Sequence, residues 1–460
     1  MLKEHINIDQ IKQTIIDGNV KEVRSILTHA HHADIADAIE NLDRVDRISF
    51  FKKIKPELVE DIFEEIEQPI QLEVIQEVHP QKATHLVDHM ELDDAVDLLH
   101  DLQEEDEEMA EELMKTLKGK QAVQKLLKYE ENVAGGIMNP SFTAIPENLT
   151  VKQAVALFKK SEPPDRDFSY YLYIVNKADE LQGLINLRDL VLASPTQEVN
   201  DLRKENIISV NVHTDQEEVA RIISKYDLLA VPVIGDNNKM LGIITVDDIV
   251  DVIEEEATED LLKLSGTSSG DIDENDILTS QVWKSARARL RWLLLTMFGG
   301  LLSGSLLSYF TISFADIPLS LPIVISFIPL LIGIGGNIGN QSATIMVRGL
   351  ATGYIKPNAL FKNILREISV SVLIGLSIGF ILFIGSLLIY KTTVYGTIIS
   401  IAILLNIVLS AAFGTLLPVF FTKIGVDPAI ASAPFISSSI DVAGLAIYFI
   451  VIATYLQLIS

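Results

Sequence analysis

The chain has 460 residues, no cysteine and a formal net charge of −26. Without cysteine there is no disulfide framework, no thiolate zinc site and no thiol catalysis. From residue 281 onward ten Lys/Arg face four Asp/Glu, which leaves residues 1–280 with 27 basic and 59 acidic residues, a net of −32. An acidic part of that strength repels nucleic acid and anionic lipid and favours cations as partners.

The first ten residues, Met1 to Gln10, contain no apolar h-region, so a cleaved signal peptide is not expected. Residues 35–102 carry a repeat of roughly 24 residues, in which the segments starting at Ala36, Glu60 and Thr84 align and half-units at Leu72 and Val96 fall between them. Apolar i, i+3, i+4 faces repeated this way predict short stacked helices in a small α-superhelix. His85, His89 and His100 lack supporting cysteines or a closed ligand set, which argues against zinc. Asp93 and Asp97, at i and i+4, share a helix face that either meets a hard cation or is simply solvated.

A second repeat follows. Gln182–Val191 matches Leu241–Val250 at an offset of 59, each copy reading as strand, Gly turn, strand and a helix opened by an acidic residue. Such tandem units resemble cystathionine-β-synthase-type (CBS) domains, whose pairs often bind adenine nucleotides between them. Thr245 and Asp248 suit a ribose, a generic signal. The acidic run Asp247–Asp260 continues as a helix on which Asp247, Asp251 and Glu255 crowd one face. Like charges at that spacing repel, and divalent cations relieve the repulsion.

Five apolar stretches then predict membrane spans, at Trp292–Ile312, Ile317–Met346, Ile368–Tyr390, Val394–Phe421 and Ala429–Leu458. Gly333, Gly335, Gly336 and Gly339 in the second predict tilt or local unwinding. Basic residues precede span one and lie between spans two and three and spans four and five, so the positive-inside rule puts the N-terminal part in the cytoplasm and the C-terminus outside.

Two constellations in this half carry chemistry. Gly335 to Ser342 combines glycines with Asn337, Asn340, Gln341 and Ser342, which offer neutral oxygens to hydrated ions or serve small-residue helix packing. The second runs from Asp427 to Asp441. On one helix these carboxylates stand about 40° apart in azimuth and roughly 21 Å apart in rise, with Pro434 and Ser437 on the same stripe, as in a pore wall. Asp441 is the only charge within its span. A charge at the bilayer centre costs roughly 2.5–3.5 kcal/mol on insertion scales, so it faces a permeating cation or stays neutral and hydrogen-bonded between helices.

Pro329–Ser342, Arg348–Ala351, Asp427–Ala429 and Asp441–Gly444 closely resemble the MgtE-type magnesium channels. The resemblance implies a multidomain fold: a cytoplasmic all-α superhelical N domain (1–132), α/β tandem CBS domains (133–198 and 199–256), a connecting plug helix (257–283) and a five-helix α transmembrane pore domain (284–460). It implies a homodimer in the lipid bilayer of the cell membrane, without nucleic acid as a partner. Pore ligands for Mg²⁺ are then Asp441, Asp427, Ser437, Gly336, Asn337 and Gly339. Cytoplasmic Mg²⁺-sensing positions are Asp93, Asp97, Gly136, Glu217, Asp227, Asp248, Asp251, Glu256, Glu259 and Asp260. Tyr171, Arg188 and Asp248 match nucleotide-binding positions, with ATP as a modulator. Ala433 lacks the side-chain oxygen that some relatives carry before the proline, so discrimination rests more on Asp441 and backbone carbonyls.

The ion suits the residues. Mg²⁺ keeps several waters and is held through one or two carboxylates. Its two charges are drawn inward by about 4.6 kcal/mol per 100 mV, and no Gly-x4-Gly-Lys-Ser/Thr loop points to a pump. The expectation is a Mg²⁺-selective import channel that closes when Mg²⁺ binds its acidic cytoplasmic domains. The alternative is a divalent-cation secondary transporter coupled to H⁺ or Na⁺, with Asp441 as a proton relay. No nucleophile, base and oxyanion set converges, so an enzyme is not expected.

Overall fold

The structure is a computed structural model that describes residues 8–17, 20–160, 171–204, 206–267, 282–314, 320–356, 359–430 and 433–459. The chain divides into two compact units, the first ending at Ile253 and the second beginning at Glu254.

The first unit opens with ten helices: α1 (Ile8–Asp17), α2 (Val20–His29), α3 (His32–Glu40), α4 (Arg44–Lys53), α5 (Glu60–Glu64), α6 (Gln68–Glu77), α7 (Pro80–Val87), α8 (Leu92–Glu105), α9 (Glu107–Thr116) and α10 (Lys120–Leu126). Helices two apart pack together: α3 on α5, α4 on α6, α5 on α7, α6 on α8, α7 on α9. The 24-residue period is thus one pair of helices, and each odd helix meets the next odd one. Polar side chains repeat with the same period. Glu40, Glu64 and Asp88 accept from the backbone N–H of Glu67 (2.8 Å), Glu91 (2.6 Å) and Lys118 (2.8 Å), the first two at the start of α6 and α8. Helix N-termini leave N–H groups without intrahelical acceptors, and these carboxylates satisfy one each. Arg47 and Gln71, one period apart, do the reverse. Buried Arg47 donates to the carbonyls of Ile39, Glu40 and Leu42, and buried Gln71 to those of Phe63 and Glu64. Phe51, Phe63, Ile35, Ile39, Ile75, Leu86 and Leu98 fill the core between them.

Two three-stranded sheets follow. β1 (Ala144–Pro146) runs parallel to β2 (Tyr171–Val175), which is antiparallel to β3 (Leu181–Asn186). β4 (Val210–Asn211), β5 (Ala230–Ile234) and β6 (Met240–Thr245) repeat that order. α11 (Val151–Lys160), α12 (Leu187–Leu192), α13 (Gln216–Tyr226) and α14 (Val246–Ser265) complete the repeats. The offset of 59 persists in the irregularities. β2 bulges at Ile174/Val175 and β5 at Val233/Ile234, and the turn residues Asp179 and Asn238 both have positive φ. These turns join the sheets, since Leu181 donates to the Asn238 carbonyl and Met240 to that of Asp179. Gly183 lies inside β3 and Gly242 inside β6, which corrects the expected Gly turn. The glycines let Arg203 and the Asn139 carbonyl approach where a Cβ would stand. Asn139 itself exchanges backbone hydrogen bonds with Ile243, so the segment before β1 belongs to the second sheet.

The second unit contains the latter part of α14 and the helices α15 (Val282–Ser313), α16 (Leu321–Ser326), α17 (Ile328–Ala351), α18 (Leu360–Tyr390), α19 (Thr393–Lys423) and α20 (Ala433–Ile459). Among the described residues five helices are long and apolar enough to cross a membrane: Ser285–Ser313, Pro322–Ala351, Leu360–Tyr390, Thr393–Lys423 and Ala433–Leu458. α17 stays helical through all four glycines, contrary to the expected unwinding, and the interruption falls at Phe327 instead. Pro329 has no N–H to donate and would crowd the carbonyl of Ile325 in a continuous helix. The glycines are used for closeness: a Cβ on Gly335 would lie 2.6 Å from Asn406 Nδ2, and one on Gly339 would run into Ile440. Of the expected connecting helix, residues 268–281 lie outside the described residues.

Candidate functional site

The first constellation sits where the start of α8 meets the start of α14 within the first unit. Asp93 is buried, and burial, followed by the charges of Asp94, Asp248 and Glu91, raises its carboxyl well above the ordinary range. Asp94 is open to water, yet desolvation by the surrounding protein and then Glu64, Asp248, Asp251 and Asp247 push it up to about 7. Solvent screens Asp94, so Asp93 is the more strongly perturbed group. Asp248 is raised by burial despite accepting hydrogen bonds from Thr245 N (3.1 Å) and Oγ1 (2.5 Å). Asn139, also buried, donates to Glu91 (2.8 Å) and Asp93 (3.3 Å). Carboxylates held this closely lower their energy by binding protons or a hard cation.

Of the residues expected to sense Mg²⁺, Asp93, Asp248 and Asp251 therefore converge, and half-buried Asp97 lies one turn further along α8. Asp94, Glu91 and Asn139 are additional members that spacing along α8 alone did not reveal. Glu217, in the first turn of α13, pairs with Arg221, and Asp227 is that helix's left-handed C-cap. Gly136 is packed so tightly that a Cβ would lie 2.5 Å from the carbonyls of Glu130 and Glu131. Glu256, Glu259 and Asp260 follow along α14 in the second unit.

The second constellation is at the start of α20. Asp427 and Asp441 do not share one helix. Asp427 precedes a 3-10 turn, Pro428–Ile430, with Oδ1 accepting from Ala429 N at 2.8 Å, and α20 begins at Ala433. Pro428 and Pro434 break the continuous stripe expected between the carboxylates. The second oxygen of Asp427 is 2.8 Å from Lys263 Nζ, and Glu259 Oε1 is 2.6 Å from the same ammonium. Burial pulls the Lys263 pKa down, but these two carboxylates outweigh it and hold the group above its ordinary value. Just beyond α14, Gly266 turns with φ +70° and lies so close to Pro434 that a Cβ would be 2.6 Å from its ring. The end of α14 is thus seated on the start of α20.

Deeper in the span, Ser437 and Asp441 remain i and i+4 on α20, and Asn340 Nδ2 donates to Ser437 Oγ at 3.3 Å. Asp441 is half-buried and has no hydrogen-bond or ion-pair partner among the described residues. Asn337 is exposed, Gly336 faces Ser437 at ordinary contact distance, and Gly339 is buried against Ile440 as a packing residue. Asn406, wholly buried in α19, donates to the Leu331 carbonyl at 2.8 Å and so ties α19 to α17.

A third feature is an open cavity of about 590 Å³ lined by Tyr171, Asn186, Leu187, Arg188, Val191, Leu192 and Leu229. It brings Tyr171 and Arg188 together. Asp248 is not in its lining and is engaged by Thr245.

Comparison with known proteins meets these three features. Residues 328–451 match a divalent cation transporter family, MgtE; residues 30–132 match the MgtE intracellular N domain; residues 134–195 and 199–255 match CBS domains. The chain is 34 % identical to the magnesium transporter MgtE of Bacillus subtilis over 94 % of both chains. The chain belongs to the MgtE family of magnesium transporters. The Thermus thermophilus MgtE is 34 % identical over 78 % of each chain. The cytosolic domain of an Mg²⁺ channel MgtE, solved in complex with ATP, superposes with a TM-score of 0.51 at 27 % identity, covering 54 % of this chain and all of that one. The MgtE resemblance carried by the motifs around Gly335 and Asp441 is thereby established, as is the order of N domain, tandem CBS domains and five apolar helices of a multi-pass membrane protein.

Proposed function

We propose that this chain is a Mg²⁺-selective, channel-like transporter that imports Mg²⁺ down its electrochemical gradient and is closed by Mg²⁺ bound to its acidic cytoplasmic unit. The observation that carries the reading is Asp441, a carboxylate in the first third of the last apolar helix with no hydrogen-bond or ion-pair partner among the described residues. Its position beside Ser437 and Asn340 suits a hydrated divalent ion, which needs oxygen acceptors and one or two negative charges. Two chains in a homodimer would supply two such carboxylates. In support, Asn337 of α17 is exposed on the same helix as Asn340, where a second chain could meet it.

Closure uses the two other features. Mg²⁺ bridging Asp93, Asp94, Asp248 and Asp251 offsets the burial and mutual repulsion that raise the carboxyls of Asp93, Asp94 and Asp248, and it favours whichever arrangement holds them together. The seat of α14 on Asp427 and Pro434 suits a plug that blocks the cytoplasmic mouth, with the N-terminus inside and the C-terminus outside. The cavity with Tyr171 and Arg188 suits an adenine nucleotide, as in the ATP-bound relative, acting as a modulator.

Single-channel recording from purified protein in bilayers tests the reading. Divalent-selective current that cytoplasmic Mg²⁺ shuts off is expected. Uptake without current, or uptake that follows an imposed pH or Na⁺ gradient at fixed voltage, would establish the coupled transporter instead.

A further inference from the structure

The α-superhelix of the first unit gathers two histidines and a glutamate. Glu60 opens α5, His85 lies in the last turn of α7, and His89 follows it by four residues. The packing of α5 on α7 brings all three together: His85 Nε2 is 2.8 Å and His89 Nε2 3.5 Å from one oxygen, Glu60 Oε2. One ligand atom from each residue lies within 4.8 Å of the other two. Ligands about 2.0–2.1 Å from a tetrahedral zinc ion are roughly 3.3–3.4 Å apart, so the observed separations bracket those of an occupied site.

The tautomer of His89 points the same way. Its Nδ1 is 2.8 Å from the backbone carbonyl of His85, which can only accept, so Nδ1 carries the hydrogen. In a neutral ring Nε2 then presents a lone pair toward Glu60 Oε2, another acceptor. One proton on His89 Nε2 would resolve this as an ion pair with Glu60; a metal ion resolves it by taking lone pairs from both, and the ring centroids of His85 and His89, 4.3 Å apart, let both imidazoles reach one ion. A histidine that donates its far N–H to a carbonyl is also the usual supporting arrangement for a metal ligand, because it fixes both tautomer and ring direction.

We propose that Glu60, His85 and His89 bind a divalent ion of the zinc class, leaving one position to water. Two imidazoles with one carboxylate suit Zn²⁺ or a neighbouring late transition metal, whereas Mg²⁺ prefers oxygen ligands alone. The ion clips α5 to α7, at residues distinct from the acidic cluster of Asp93 and Asp248, and its binding does not depend on how the membrane unit works. His100, on α8 of the same superhelix, pairs with Glu131 and serves as the control.

The test is a Zn²⁺ titration of the full-length, tag-free protein in detergent against a chromophoric chelator, in millimolar Mg²⁺. Wild type and His100→Ala should bind one Zn²⁺ per chain more than His85→Ala, Glu60→Gln and His89→Gln. Cobalt loading of wild type should give visible d–d bands that the three variants lack. Equal stoichiometry in wild type and all three variants, or the same loss in His100→Ala, would overturn the site. If His85→Ala fails to fold by far-UV circular dichroism, the near-isosteric Glu60→Gln and His89→Gln decide alone.

Discussion

Lys263 Nζ lies 2.8 Å from Asp427 Oδ2, joining residues 164 positions apart with Glu259 as the ammonium's second partner. The lysine occupies the place that a divalent ion would take between two carboxylates, but it is covalently part of the chain. The contact of α14 with the start of α20 therefore has a component that no change in Mg²⁺ concentration removes. Lys263→Ala should leave Asp427 and Glu259 facing each other and weaken the closed arrangement by about 1–2 kcal/mol, roughly 5–30-fold in the closed-to-open ratio. In patch recordings the Mg²⁺ concentration that halves the current should rise accordingly. Unchanged inhibition would show that the pair is incidental to gating.

Asp441→Asn removes the charge while keeping the shape and the contacts of α20. Divalent current should fall at least roughly tenfold, because a hydrated divalent ion then meets only neutral oxygens. Protein yield and oligomeric state should be unaltered. The same substitution in a coupled transporter would abolish pH dependence of uptake, which a flux assay at two pH values separates from simple loss of current.

The raised carboxyls of Asp93, Asp94 and Asp248 fix a pH dependence. A group whose folded pKa is raised contributes stability that is complete below its ordinary pKa and is lost as pH rises through the folded value. Without divalent ions, the melting temperature of the first unit should therefore fall from about pH 5 to pH 8, passing through the value of about 7 for Asp94. Mg²⁺ should restore it most at the alkaline end, where the protons it displaces have already left. Asp93→Asn should flatten the profile. A melting temperature that rises with pH in EDTA would contradict the cluster.

Arg47 and Gln71 occupy equivalent places in the 24-residue repeat, so their replacement separates charge from geometry. Arg47→Ala strands three carbonyls at the end of α3 and should cost about 2–4 kcal/mol, or roughly 5–10 °C in the melting of the first unit. Gln71→Ala strands two and should cost about half as much. Differential scanning calorimetry of the intact protein in detergent reads both.

The sequence makes the α-superhelix legible because the buried Ile39, Phe63 and Val87 recur 24 residues apart, and the CBS pair because Gly183 and Gly242 fall at a fixed offset. It conceals what depends on contacts between distant residues. Asn139 reaches Glu91 and Asp93 from the segment before β1, and nothing local to it marks a polar bridge. Glu60 is one of several acidic residues in α5, and only packing against α7 sets it beside two histidines. The single helix expected from Asp427 to Asp441 ran through Pro428 and Pro434, whose missing N–H groups favour a 3-10 turn at Pro428 and a fresh helix start at Ala433. Lys263 reads as an ordinary basic residue near a helix end until Asp427 is seen beside it.

The exchange of hydrogen bonds between Asn139 and Ile243 also orders the protein's biosynthesis. The helices of the superhelix close on neighbours two elements away and can fold as they leave the ribosome. The second sheet is completed later, because the segment at Asn139, made early, waits for β6, which ends at Thr245, while the first membrane helix begins at Val282. The carboxylates around Asp248 are thus assembled in the short interval between the last strand of the second sheet and the first apolar helix. A ribosome stalled within that interval would carry a finished N domain and an unfinished acidic cluster.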